Sequence, residues 1–94
     1  MYHATNGTEN ARVRVYHWWP GKEYCNGMPS YLVQEAKRRG SRYLSMVAAE
    51  LPDATVSATA FCCPKDSPSR TRGRTIALGR LAKELAGEGW ALEA

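Results

Sequence analysis

Four side chains near the C-terminus have the types and spacing that recognition needs. Arg72, Ile76, Arg80 and Lys83 recur at intervals of four, four and three, so on a helix they share one face. Guanidinium and ammonium groups on such a face can engage phosphates or carboxylates, and Ile76 adds an apolar contact ringed by cations. Arg70 and Arg74 extend the charge along the same segment. From residue 64 to residue 83 there are six basic residues (Lys65, Arg70, Arg72, Arg74, Arg80 and Lys83) against one acid, Asp66. Gly73 and Gly79 flank this face, and each costs about 1 kcal/mol of helix propensity relative to alanine. Glycines at such a cost suit a close approach of another backbone or a ligand. The plainer reading is a solvated charged face with one stray isoleucine.

Lys37, Arg38, Arg39 and Arg42 form a second cationic cluster. With Trp18 and Trp19, and with Tyr16 and Tyr24 also available for stacking, it forms a secondary surface suited to a single strand or a folded RNA. The same aromatics would serve equally as core and loop packing. Glu84, Glu88 and Glu93 make the tail acidic, and the whole chain carries only +4, modest for a dedicated nucleic-acid binder.

Catalysis finds little support. His3 and His17 are the only histidines, and neither has a serine, cysteine or carboxylate at a spacing that specifies a triad. No phosphate-binding glycine loop and no paired carboxylates are visible. No catalytic residue is expected, and no cofactor. The three cysteines, Cys25, Cys62 and Cys63, are odd in number and favour reduced thiols over a disulfide framework. Cys62 and Cys63 on one strand would point to opposite faces, which makes shared chelation awkward, so no metal site is expected.

The elements that must position these residues are legible in part. Ser67 as cap and Pro68 in the first turn open a helix from about Pro68 to Ala86. Ala77, Leu78, Leu81, Ala82 and Leu85 fall within an arc of about 140°, the width of a core-facing stripe. Gly87 and Gly89 supply the stop. Leu51-Pro52-Asp53-Ala54 reads as a hairpin turn. Pairing Leu51 with Ala54 then sets Ala49 against Val56, Val47 against Ala58, Ser45 against Ala60 and Tyr43 against Cys62. Val56, Ala58, Ala60 and Cys62 alternate with Thr55, Ser57, Thr59 and Phe61, as a half-buried strand does. The buried side is small enough for the C-terminal helix to lie close across it. Residues 42–51 have helix-forming composition as well, but the turn and register favour a strand. Residues 12–19 alternate and are rich in strand formers, and Pro20-Gly21 ends them. Ser30 to Arg39 reads as a short helix, with cations in its last turn and Gly40 just beyond.

The expected fold is therefore α+β: a three-stranded antiparallel sheet (residues 12–19, 42–51 and 55–63) packed against a C-terminal amphipathic helix, with a short additional helix. Ninety-four residues, 44% hydrophobic and 23% charged, make one globular domain, with residues 1–11 expected as a mobile terminus and residues 87–94 as a tail. No apolar run is long enough for a membrane span, and the first residues lack a signal-peptide core.

Cys62-Cys63-Pro64-Lys65-Asp66, followed by Arg70, Gly73-Arg74, Ile76-Ala77 and Gly79-Arg80-Leu81, resembles a pattern in small uncharacterised phage and prophage accessory proteins. Those proteins join a hairpin ending in C-x-P-x-D to a G-R-x-I-A-x-G-R helix. The resemblance covers about a third of the chain, including the hairpin, and leaves residues 1–40 uncovered. It implies an accessory protein in the cytoplasm of an infected or lysogenic bacterium. Such proteins commonly block a host or defence protein, or a nucleoprotein complex, or bind nucleic acid. The expected function is binding through the basic helix face, in the manner of an anti-CRISPR inhibitor, with direct RNA or DNA binding as the alternative. A homodimer is compatible with either.

Overall fold

The computed structural model describes residues 2–21, 28–62, 65 and 69–93. Its elements run β1 (His3–Thr5), β2 (Asn10–Trp18), α1 (Ser30–Arg39), β3 (Leu44–Glu50), β4 (Thr55–Phe61), α2 (Arg70–Gly87) and β5 (Ala91–Glu93). All pairings are antiparallel and the strands lie in the order β4-β3-β2-β1-β5. The α+β class holds, but the sheet has five strands rather than three. The two added strands, three residues each, come from the segments expected as a terminus and a tail. They pair with each other and extend the sheet beyond the N-terminal part of β2.

The β3–β4 register is the one set by the turn. The Leu51 amide donates to the Ala54 carbonyl, and Ala49, Val47 and Ser45 face Val56, Ala58 and Ala60. At the far end the Cys62 amide donates to the Tyr43 carbonyl at 2.8 Å. Because β3 is covered on both faces, Leu44 to Ala49 are all buried and no period of two shows. That double burial is why residues 42–51 also carry a helix-like composition.

One face of the sheet carries α2. Val13, Val47, Ala49 and Ala60 meet Ala77, Leu78, Leu81 and Leu85, with Ala4 and Ala11 continuing the core under the end of the helix. The other face carries α1, where Trp18, Leu44, Met46 and Ala48 enclose Ala36 and Met28. The cap of α2 is Ser69, whose hydroxyl accepts from the Arg72 amide, and the helix begins at Arg70. The expected start is thus corrected by two residues; Ser67 and Pro68 lie outside the described residues. A glycine in the left-handed region follows each helix, Gly40 (φ 67°) directly after α1 and Gly89 (φ 80°) just past the Glu88 cap of α2. After each glycine the next residue closes back five positions: Ser41 donates to the Ala36 carbonyl and Trp90 to the Leu85 carbonyl.

Gly73 marks the tightest approach of α2 to the sheet. A Cβ there would sit 2.4 Å from Ser45 Oγ, so the helix crosses β3 at this point only because residue 73 has no side chain. At Gly79 an added Cβ meets nothing within 4 Å, so this glycine serves no contact within the chain.

Candidate binding cleft and basic helix flank

At the end of the sheet where α2 begins, three chain segments converge. Strand β2 delivers Trp18 and Trp19 on consecutive positions, so they leave the backbone on opposite sides. Trp18 turns into the core under α1 and is 3% exposed, whereas Trp19 stays 37% exposed. Trp19 lies flat against Tyr43, ring centres 5.9 Å apart and planes 13° from parallel. The His17 ring also packs on Tyr43, tilted by 50° with ring centres 5.3 Å apart. Arg70, the first residue of α2, donates from Nε to the Tyr43 hydroxyl at 3.2 Å. Trp19, Pro20, Arg42, Tyr43 and Arg70 line an open cleft of about 490 Å³.

A second cleft of about 540 Å³ opens on the α1 side, lined by Trp18, Lys37, Gly40, Ser41 and Arg42 among others. Pro20 and Arg42 border both. The turn that carries Arg42 is pinned by Ser41, whose buried hydroxyl lies 2.9 Å from the Tyr43 carbonyl and 2.7 Å from the Cys62 carbonyl and shares its proton between them. Arg42 is therefore a cation on a rigid ridge between two hollows.

The Lys37–Arg42 cluster divides. Glu35 accepts from both Arg38 and Arg39, and these hydrogen bonds hold its carboxyl down at about 2, with Arg38 the larger cause. Arg39 also lies over the Phe61 ring, 4.4 Å from its centre. Two of the four cations are thus occupied within the chain, and Lys37 and Arg42 are the two that line the clefts.

The helix residues divide as well. Arg70 and Arg74 lie on the side of α2 that carries its core stripe; Arg74 is half-buried, and Arg70 is exposed and reaches the cleft. Arg72, Ile76, Arg80 and Lys83 lie on the face of α2 opposite its core stripe, with Arg80 at the margin nearest β4. Arg80 donates from Nη1 to the Thr59 carbonyl at 2.6 Å, and Ile76 remains 39% exposed. The sequence surface therefore resolves into two sites: an aromatic–arginine cleft and a basic outer face of α2 that meets the β4 edge at Arg80.

Tyr43 was not among the candidate site residues, and His17 was weighed only for catalysis. The only hint for Tyr43 was its register position opposite Cys62, beside Arg42. Tyr16 is half-buried against the α1-side core, and Tyr24 lies outside the described residues, as do Cys25 and Cys63. His17 Nδ1 lies 3.1 Å from Ser45 Oγ, a serine–histidine pair that spacing alone did not reveal. Ser45 is 0% exposed beneath Gly73, so its hydroxyl is sealed from any substrate. Among the described residues no group of three or more His, Cys, Asp or Glu is placed to hold a metal ion, and no helix is long and apolar enough to cross a membrane.

No family model, curated protein or solved structure matches this chain.

Proposed function

We propose that this protein acts by binding and that its cleft holds an unpaired stretch of nucleic acid. The observation that carries this reading is the Trp19–Tyr43 stack flanked by Arg42 and Arg70. A base needs a flat apolar surface, and the phosphate beside it needs a cation; this cleft offers both within one span. Arg42 and Arg70 are the backbone contacts, Trp19 is the stacking face, and Lys37 across the Arg42 ridge is the next cation along a strand. Duplex DNA hides its base faces, so single strands, loops and ends are the favoured class. The test is fluorescence anisotropy with a single-stranded oligonucleotide and the matching duplex across a salt series. The single strand binds more tightly, and its affinity falls with salt as counterions are released.

Ile76 supports a second reading. An isoleucine 39% exposed among Arg72, Arg80 and Lys83 has the make-up of an interface centre, an apolar anchor inside a polar ring. On this reading the protein is a small inhibitor of a host or defence protein, in the manner of anti-CRISPR proteins. Affinity capture from host lysate with and without nuclease separates the two readings. A partner that survives nuclease and is lost in Ile76→Asp supports the inhibitor.

A further inference from the structure

Strand β4 is an edge of the sheet. The Leu51–Ala54 and Tyr43–Cys62 hydrogen bonds fix which of its residues pair inward. In an antiparallel ladder the paired positions alternate, so Val56, Ala58 and Ala60 bond to β3 while the backbone groups of Thr55, Ser57, Thr59 and Phe61 point outward. The guanidinium of Arg80 confirms that direction, since it reaches the Thr59 carbonyl from α2. Arg80 makes the flank of α2 above this edge cationic, and Ile76, Lys83 and Arg72 continue the basic face outward from it. A row of outward amides and carbonyls beside such a flank is a template for one more strand.

The geometry points to an acidic, extended peptide segment as the occupant of this edge. It would add antiparallel or parallel to β4, its alternate side chains facing α2. A carboxylate there meets Arg80, and further acidic residues are drawn by the field of Lys83 and Arg72 on the adjoining face. The Arg80 guanidinium now occupies the Thr59 carbonyl as an incoming amide would. Binding exchanges that contact for a backbone hydrogen bond and releases Arg80 to a carboxylate. A second copy of this chain is a poor occupant, because it would bring the same cations to the same edge. This inference rests on the second reading above and names the chemistry of its partner.

The test is a nuclear magnetic resonance titration of the whole chain with an end-blocked peptide matching β4 in length, alternating threonine and glutamate, and its threonine–lysine counterpart. The acidic peptide shifts the amides of residues 55–61 and the lysine peptide does not. Ser57→Pro removes an outward amide without touching the β3 ladder, a change edge strands tolerate. It weakens acidic-peptide binding about tenfold or more, with an unchanged thermal midpoint as the control for folding. Arg80→Glu weakens it similarly, while Arg42→Glu with Arg70→Glu lowers it only through the change in overall charge. Equal binding of both peptides, wild-type affinity in Ser57→Pro, shifts confined to the Trp19–Tyr43 cleft, or no binding of the acidic peptide overturns the inference. The inhibitor reading is judged separately by capture with Ile76→Asp, and can survive the loss of the strand-addition account.

Discussion

Arg70 donates from Nε to the phenolic oxygen of Tyr43, 3.2 Å away, and so ties the first residue of α2 to the residue just before β3. Tyr43 in turn backs Trp19. The mouth of the cleft is thereby built from the start of the C-terminal helix, the approach to β3 and the end of β2. Its shape depends on how α2 sits on the sheet.

The seat of α2 is tested at two of its glycines, Gly73 and Gly79. Gly73→Ala puts a Cβ 2.4 Å from Ser45 Oγ and destabilises the fold by about 1–3 kcal/mol, the ordinary cost of overpacking. Ser45→Ala in the same chain removes the closest atom, leaving Ser45's Cβ position at 3.3 Å, and recovers part of the loss. Gly79→Ala meets nothing and should raise stability by up to about 1 kcal/mol through helix propensity. Thermal melts of the three variants check the order.

Leu81 is fully buried between α2 and the sheet. Leu81→Ala should cost about 2–5 kcal/mol through lost burial and the cavity left behind, read from denaturant unfolding. A neutral outcome would mean that α2 is not docked.

Glu35 gives a dependence on pH with a definite sign. Its carboxyl sits at about 2 against an ordinary 4.5, because Arg38 and Arg39 hydrogen-bond the charged form. A depressed carboxyl stabilises the fold fully above its unfolded value, and that contribution fades as pH falls from about 4.5 towards about 2. Glu35→Gln removes this component of the acid dependence. Side-chain titration by nuclear magnetic resonance, alongside melts at both ends of that window, measures it.

The parts of the fold that follow from local rules were legible. The β3–β4 register came from one turn, and α1 was bounded by its terminal cations and Gly40. Beyond these, the short strands β1 and β5 were not visible, because three residues cannot display a period of two. Their order comes from pairing with each other and with β2, which is a tertiary fact. The α2 cap was misplaced because Ser67 before Pro68 obeys the same rules as Ser69, and only the fold chooses between them. At the site, Arg42 and Trp19 stood out by charge and aromaticity. Tyr43 did not, since its role comes from lying between Trp19 and Arg70 in space. Likewise Arg38 and Arg39 looked available until Glu35 was seen to hold both.

Charge reversal separates the two sites. Arg42→Glu with Arg70→Glu should abolish single-strand binding and leave the β4 flank intact. Arg72→Glu with Lys83→Glu should lower it only through the change in overall charge. Anisotropy titrations at two salt concentrations distinguish these, because loss of direct phosphate contacts also flattens the salt slope.

The central claim, that a base stacks on Trp19 between Arg42 and Arg70, is tested most directly by the fluorescence of that residue. Substituting Trp18→Phe and Trp90→Phe leaves Trp19 as the sole tryptophan. Adding a single-stranded oligonucleotide should quench its emission saturably, with the same midpoint as anisotropy, and Trp19→Ala in the native chain should weaken binding by about 1–3 kcal/mol, the worth of one stacked base. Binding without quenching and without loss in Trp19→Ala, or no binding of single strands at low salt, would contradict the account.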